Sequence, residues 1–178
     1  SRVEDEQELG AACSDMGGGT TSLSIFAKRQ MIYADAVRMG GALVTKDICQ
    51  GLEMPLAAAE RIKTLHGGLM ATGVDDREMI EVPRLDGDTH DRRFITRAEL
   101  IGVIRPRVEE ILEEVRLRLD ASGFECLPGQ RVVLTGGASQ LPGMEALAAR
   151  TLGRQVRVGK PLRVQGLPAA ATSKTISA

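Results

Sequence analysis

A run of three glycines separates two strand-like segments near the beginning of the chain. Gly17-Gly18-Gly19 follows an apolar run at residues 9–14 and precedes alternating segments at 21–27 and 30–37, which predicts a three-stranded antiparallel meander. Because glycine has no side chain, a turn built from consecutive glycines lets backbone amides approach an anionic ligand closely. We therefore expect the chain to begin with a sheet whose first turn can bind an anion.

The residues beside these glycines carry the groups that phosphate and a magnesium ion would need. Asp15 places a carboxylate at the end of the first strand, which suits the water shell of a Mg²⁺ ion that bridges phosphate oxygens. The hydroxyls of Thr20 and Thr21 can donate hydrogen bonds. These residues predict binding of phosphate with magnesium. The alternative is a glycine-rich β-turn in which Asp15 bonds its own backbone.

A second glycine cluster lies late in the chain, between a predicted strand at 130–134 and a predicted helix at 143–152. At Gly136, Gly137 and Ala138 the bare backbone can lie flat against a planar or sugar group, with helix-start amides facing it. The alternative is a turn that serves tight packing alone. Neither cluster matches the P-loop pattern or a complete G-x-G-x-x-G pattern, which excludes those two nucleotide-binding folds.

A third element is a helix predicted to begin at Pro55 and to end at Gly67-Gly68. It carries Glu60 and Lys63 three residues apart on one face, where a carboxylate and an ammonium together can hold a ribose diol and an adenine edge. The alternative is an exposed ion pair worth about 0.2–0.5 kcal/mol. A shorter helix is predicted before it, capped by Thr45 and continuing to about residue 52.

The remaining segments predict a small hairpin and a long helix. Strands are expected at 78–83 and 92–96 around a turn at Asp86-Gly87-Asp88, and a helical period of apolar residues extends from 97 to 121. Pro106 is expected to kink or restart this helix, which would place Glu109 and Glu110 in a first turn. A short final strand is predicted at 156–158.

Composition excludes several classes of function. With 23 basic and 24 acidic residues, no Trp, one Tyr and three Phe, the chain offers neither the charge nor the stacking rings of a nucleic-acid binder, so we expect no nucleic-acid partner. No apolar run approaches a membrane span, and the acidic first residues are unlike a secretory signal, which predicts a cytosolic protein. Three well-separated cysteines predict reduced thiols without a zinc site.

The order of these elements along the chain is similar to that in a known protein superfamily. An acidic strand end with a glycine loop, then Gly40-Gly41, then Glu-x-x-Lys on a helix, then a late strand ending in Gly-Gly-Ala resembles the second half of the actin/Hsp70/hexokinase ATPase superfamily. Residues 15–21 are similar to its phosphate-2 loop and residues 136–139 to its adenosine loop. The resemblance implies that Gly40 and Gly41 adjoin the nucleotide, that Glu60 and Lys63 contact the ribose, and that the ligand is ATP with Mg²⁺.

Within that superfamily, residues 40–48, 59–67, 81–83 and 133–143 look like FtsA, a family of bacterial actin-like cell-division proteins. Residues 156–159 and 166–168 extend the likeness over nearly the whole chain. It implies an α/β, actin-like (ribonuclease H-like) half with a mixed sheet and flanking helices. Subdomain 2A would comprise 1–45 and 106–178, and a helix-plus-hairpin insertion, subdomain 2B, would comprise 46–105.

The resemblance also implies partners. The C-terminal tail of the tubulin-like ring protein FtsZ would dock near Arg107 and Glu110, although an ordinary solvated helix face explains those charges equally well. The chain looks like a fragment without the other half of the cleft and without a C-terminal membrane-binding helix. In the full protein we expect filament formation and a cytoplasmic location at the inner membrane face. The competing functions are a pilus-assembly adaptor like PilM and a small-molecule kinase; no residue stands out as a catalytic base.

Overall fold

The computed structural model describes residues 10–85, 93–127 and 129–159 of the 178-residue chain. The described part contains two β-sheets and four α-helices, joined by short turns. In chain order the elements are β1 (Ala11–Met16), β2 (Thr21–Ala27), β3 (Gln30–Val37), α1 (Gly41–Gly51), α2 (Leu56–His66), β4 (Met79–Val82), β5 (Arg93–Thr96), α3 (Arg97–Ala121), β6 (Arg131–Thr135), α4 (Met144–Leu152) and β7 (Val156–Val158).

The larger sheet has five strands in the order β3-β2-β1-β6-β7 and is mixed. The first three strands form the predicted antiparallel meander, whereas β1, β6 and β7 run parallel. In this register Asp15 of β1 lies opposite Thr135 of β6. Because parallel strands place their carboxyl ends at the same edge, the two glycine loops that follow β1 and β6 leave the sheet side by side.

The core lies between one face of this sheet and the helices. Ala12, Met16, Leu23 and Leu134 point to this face and are almost completely buried. The long helix α3 packs its apolar stripe into the same core and against α1 and α4. All seven residues of the predicted stripe are buried: Leu100, Ile104, Val108, Ile111, Leu112, Val115 and Leu119.

Helix α3 is one element through Pro106. The prediction that the helix restarts there is wrong, and Glu109 and Glu110 lie in its middle. The helix begins ten residues earlier at a capping box, in which the Thr96 hydroxyl accepts the amide of Glu99 at 3.1 Å. Burial on both sides of Pro106 outweighs the single hydrogen bond that an exposed proline removes.

Two predicted helix starts differ from the structure. Helix α1 begins at Gly41 after an N-cap at Gly40, so Thr45 lies inside the helix and does not cap it. Pro55 is the N-cap of α2 and not its first residue, while Gly67 ends the helix as predicted. The apolar spacing of Leu56, Ala59, Ile62 and Leu65 predicts one buried face of α2, which is only partly correct because Leu56 and Leu65 are 63% and 68% exposed.

The predicted hairpin is present as antiparallel β4 and β5, with Ile80, Val82 and Ile95 buried. Its turn at Asp86-Gly87-Asp88 lies outside the described residues.

Cys13 and Cys49 are free thiols, each half-buried. No helix within the described ranges combines the length and the apolar character needed to cross a bilayer. The proposed subdomain boundaries at residues 46 and 105 fall inside α1 and α3, and the division remains a prediction.

Candidate functional site

The first glycine loop is a tight turn with an open outer surface. The Gly17 amide donates to the Thr20 carbonyl at 2.9 Å, while Gly18, Gly19 and Thr20 are exposed. A Cβ atom built on Gly18 or Gly19 would meet no protein atom within 4 Å. The backbone of the loop is therefore accessible to a ligand at the positions that the sequence predicts.

The start of α1 is bonded directly to this loop. The amides of Gly41 and Ala42 donate to the carbonyls of Gly17 and Gly18, each at 2.9 Å. A Cβ on Gly40 would lie 2.6 Å from the Gly18 carbonyl oxygen and even closer to that of Gly17. Only glycine permits this approach. Gly40 therefore keeps the N-terminal end of α1, which is the positive end of the helix dipole, in contact with the loop.

The second glycine loop abuts the first through the parallel pairing of β1 and β6. Gly136 has φ +90°, and a Cβ there would lie 2.5 Å from the Met16 carbonyl oxygen and would also contact the Asp15 carboxylate. A 3-10 turn at Gly137–Gln140 follows, and α4 begins only at Met144. The helix-start amides predicted at this loop therefore belong to the 3-10 turn and not to α4.

Glu60 and Lys63 form an ion pair on α2 that is tied to α1. Lys63 Nζ lies 3.0 Å from Glu60 Oε2 and donates to the Gly41 carbonyl at 3.1 Å and to Thr45 Oγ1 at 2.9 Å. The Thr45 hydroxyl donates to Glu60 Oε2 at 2.5 Å. The Lys63 side chain is 12% exposed and that of Glu60 56%. Lysine is thus held inward, and the carboxylate faces outward.

The hydrogen bond from Thr45, followed by that from Lys63, lowers the pKa of Glu60 against the opposing effect of burial. Glu60 is therefore ionised at neutral pH and can accept hydrogen bonds from the hydroxyls of a ligand. Sequence reasoning missed this role of Thr45, because a threonine just before an apolar segment is typical of an N-cap, and the helix is predicted to begin there.

Four segments that are distant in sequence meet at Gly41. A Cβ placed there would lie 3.4 Å from Lys63 Nζ, 3.5 Å from the Ala138 Cβ and 3.8 Å from the Gly17 carbonyl oxygen. Thr21, in contrast, is buried and its hydroxyl donates to the Met39 carbonyl at 2.8 Å. This hydrogen bond joins β2 to the segment that leads into α1.

Asp15 lies at the edge of this arrangement with an exposed carboxylate. Burial, followed by the negative charge of Asp15, raises the pKa of the Cys13 thiol, which faces the same side of β1. Within residues 10–85, 93–127 and 129–159, no group of three or more His, Cys, Asp or Glu side chains could hold a metal ion. A single carboxylate fits Mg²⁺ that keeps water ligands and binds phosphate oxygens.

Arg107 and Glu110 lie on α3, and the structure connects them to α1. Arg107 binds both carboxylate oxygens of Asp47, at 2.7 and 3.0 Å, and reaches Glu110 Oε2 at 3.1 Å. The hydrogen bond to Asp47 raises the pKa of Arg107 further. Sequence reasoning missed Asp47 because 60 residues separate it from Arg107.

Comparison with known proteins decides the family. The family model described as cell division protein FtsA matches residues 12–176. The chain belongs to the FtsA family. It is 47% identical over 176 residues to the FtsA of Rhizobium meliloti, and this match covers 98% of the chain and 40% of that relative. It is 34% identical over 172 residues to the FtsA of Escherichia coli, covering 93% and 40%.

The chain thus spans about two fifths of the length of these FtsA relatives. Among solved structures, MreB 5 of Spiroplasma citri bound to AMPPNP matches with a TM-score of 0.67 at 18% identity, over 86% of this chain and 49% of that one. A chain of the PilM-PilN type IV pilus biogenesis complex matches with a TM-score of 0.65 at 22% identity, over 90% and 38%. These likenesses confirm the predicted α/β actin-like fold. The family model and these relatives are described as cell division proteins, and not as a pilus adaptor or a small-molecule kinase.

Proposed function

We propose that this chain forms one wall of an ATP site in an actin-like cell-division protein. The main support is the meeting of four separate segments at Gly41, which brings the Lys63 ammonium, Ala138 and the Gly17 loop within 4 Å of one point. A solved actin-like relative, MreB 5, is bound to AMPPNP, so a nucleotide fits this fold. Neither glycine cluster carries this argument alone, because each is also typical of simple turns.

Each group has a separate role in the proposed site. In the phosphate loop of Gly17, Gly18, Gly19 and Thr20, the exposed backbone of residues 18–20 binds phosphates next to the N-terminal end of α1, and the Gly17 amide closes the turn on the Thr20 carbonyl. Asp15 orients a water ligand of Mg²⁺, and the ion neutralises phosphate charge when bound. The backbone of Gly136, Gly137 and Ala138 lies against the adenosine, while Glu60 accepts from the ribose hydroxyls and Lys63 fixes its carboxylate.

We expect ATP hydrolysis to depend on the full-length protein. The chain covers 40% of its FtsA relatives, and a nucleotide bound to one wall lacks the enclosure that orients water for attack. None of the residues assigned above is proposed as a catalytic base. The contribution of this wall is binding and orientation.

Nucleotide binding is tested by calorimetric titration of the full-length protein with ATP and Mg²⁺. Gly18→Ala adds a methyl group where the ligand would lie but meets no protein atom within 4 Å, so the fold should be unaffected. We expect ATP binding to weaken about tenfold or more, as for a lost charge-assisted hydrogen bond. The matched control is Gly73→Ala, which also enters open space. Equal affinity of Gly18→Ala and Gly73→Ala would contradict the proposed phosphate site.

The magnesium assignment has its own test. Asp15→Asn keeps the size of the side chain and removes its charge, so it should reduce the gain in ATP affinity on adding Mg²⁺. Binding without Mg²⁺ should remain equal to wild type or improve, because a negative charge near the phosphates is lost. An unchanged magnesium effect would show that Asp15 does not orient the ion.

We further propose that the C-terminal tail of FtsZ docks at Arg107 and Glu110. The support is physical: Asp47 immobilises the Arg107 guanidinium, so a peptide that binds it loses little side-chain entropy. In a pull-down with the tail peptide, Arg107→Glu should abolish retention. Asp47→Asn is the comparison variant: it loosens the guanidinium but keeps the cation, so it should weaken retention less than Arg107→Glu. Equal retention of wild type and Arg107→Glu, with both folded by circular dichroism, would refute the docking site.

The remaining proposals concern the full-length protein. FtsA membership and the actin-like fold support self-association into filaments and attachment to the cytoplasmic membrane face, linking the FtsZ ring to the membrane. Co-sedimentation with anionic phospholipid vesicles tests the attachment. We expect the full-length protein to pellet with these vesicles and to stay in the supernatant without them. Recovery in the supernatant under both conditions would contradict the attachment.

A further inference from the structure

Helix α2 has little apolar contact for an element that carries two residues of the proposed site. Of its 11 residues, Ala59 and Ile62 are the buried ones, and Leu56 and Leu65, near its two ends, are largely exposed. Two buried side chains contribute too little to give a helix one fixed position. The position of Glu60 and Lys63 therefore depends on polar contacts, both their own bonds to Thr45 and Gly41 and contacts at the end of the helix.

Arg97 provides such a contact at the C-terminal end of α2. Its Nε donates to the His66 carbonyl at 3.0 Å, and its Nη2 lies 3.5 Å from the Gly67 carbonyl. The carbonyls at a helix C-terminus lack helical partners and carry partial negative charge, which suits a guanidinium. The Gly67 amide donates to the Lys63 carbonyl at 3.0 Å, so the contact acts on the turn that carries Lys63.

The guanidinium is itself held in one position. Arg97 Nη1 lies 2.6 Å from Asp75 Oδ1, and the Asp75 side chain is only 5% exposed. The second oxygen of Asp75 accepts the Thr72 amide at 2.6 Å. Gly68 also adjoins the guanidinium, since a Cβ there would lie 2.7 Å from Arg97 Nη2. Lysine could not occupy this place equivalently, because its single ammonium cannot bridge Asp75 and two carbonyls with fixed geometry.

We propose that Arg97, held by Asp75, is a positioning residue for the nucleotide site: it fixes the end of α2 and so places Glu60 and Lys63 against the ribose. This inference rests on the proposed function. It adds a residue that touches no part of the nucleotide and acts through the helix alone. If this is correct, a change at Arg97 weakens recognition of the ribose hydroxyls more than it weakens nucleotide binding as a whole.

The test compares ATP with 2′-deoxy-ATP by titration of the full-length protein. Arg97→Lys and Gly68→Ala should weaken ATP about five- to tenfold, the loss of one well-placed hydrogen bond, and should weaken 2′-deoxy-ATP less. The control is Arg105→Lys on the same helix, whose bonds go to Glu109 and to the Leu69 carbonyl. It should leave both affinities unchanged. Equal weakening of both nucleotides by Arg97→Lys would indicate a merely structural role and overturn the inference.

A second measurement separates this inference from the proposed function. Hydrogen exchange of the α2 amides without nucleotide should be faster in Arg97→Lys than in Arg105→Lys. Equal exchange in the two variants would overturn the positioning role, whatever the protein binds. If wild type binds neither nucleotide while α2 exchange still rises in Arg97→Lys, the proposed function fails and the mechanical part of the inference stands.

Discussion

Alanine at Gly40 would place a methyl group against two backbone carbonyls of the first glycine loop. The added carbon would lie 2.6 Å from the Gly18 carbonyl oxygen, 2.9 Å from its carbonyl carbon and closer still to the Gly17 oxygen. These are main-chain atoms within a tight turn, so no flexible side chain can move away. The loop and the start of α1 would have to separate by about 1 Å to restore ordinary contact.

That separation has a calculable cost. Overpacking against backbone costs about 1–3 kcal/mol. The bonds from Gly41 and Ala42 to the loop carbonyls, at 2.9 Å each, contribute about 0.5–1.5 kcal/mol apiece and would lengthen or break. The backbone at Gly40 is extended, with φ −160°, so no strain from a left-handed conformation adds to these terms. We expect Gly40→Ala to lower the free energy of unfolding by about 2–6 kcal/mol.

Urea denaturation followed by circular dichroism measures this change, and two other alanine substitutions provide controls. Gly18→Ala enters open space and should change the free energy of unfolding by less than about 0.5 kcal/mol. Gly102→Ala lies on the exposed side of α3 in open space and should stabilise the protein by about 0.5–1 kcal/mol, because alanine favours helix. If Gly40→Ala is as stable as Gly18→Ala, the packing of α1 on the loop is not as tight as described.

Three further predictions concern stability. Pro106→Ala should raise the free energy of unfolding by about 1–3 kcal/mol in urea, since it restores a helix donor at an exposed position; lower stability would contradict this. Thr96→Ala removes the cap of α3 and should lower the free energy of unfolding by about 1 kcal/mol, measured by thermal denaturation. Unchanged stability would show that the capping box does not stabilise the protein. The Thr72 amide and then Arg97 lower the pKa of Asp75 from its usual 3.8, so the stability that ionised Asp75 contributes is present above that pH and lost as the pH falls through the folded-state pKa. Asp75→Asn should therefore flatten the acid limb of a stability–pH profile, and the exposed Asp76→Asn should not.

Much of the fold could be predicted because the relevant signals are local. The strands of the meander follow from short apolar or alternating segments separated by turn residues, and the limits of α3 follow from its apolar period. The start of α1 could not be predicted in the same way. It begins at Gly41 because its first amides bond to a loop 24 residues earlier, whereas local rules favoured Thr45 as a cap.

The candidate site could also be predicted only in part: its residue types could be recognised in the sequence, but their meeting in space could not. Residue types alone indicated an open glycine loop, a carboxylate at Asp15 and a pair at Glu60 and Lys63. Their meeting depends on the parallel register of β1 with β6 and on the bonds that join α2 to α1. The sequence also indicated a functional hydroxyl at Thr21, but the tertiary structure buries that group against Met39.

By itself, the sequence determined the elements, the glycine turns and the kind of chemistry that they can support. The tertiary structure decided which groups meet, which are already satisfied internally and which remain exposed to a ligand. The ion pairs of Arg107 with Asp47 and of Arg97 with Asp75 join segments 60 and 22 residues apart. Periodicity and turn preference act over a few residues, whereas hydrogen bonds between distant segments exist only once the chain has folded and excluded water from between them.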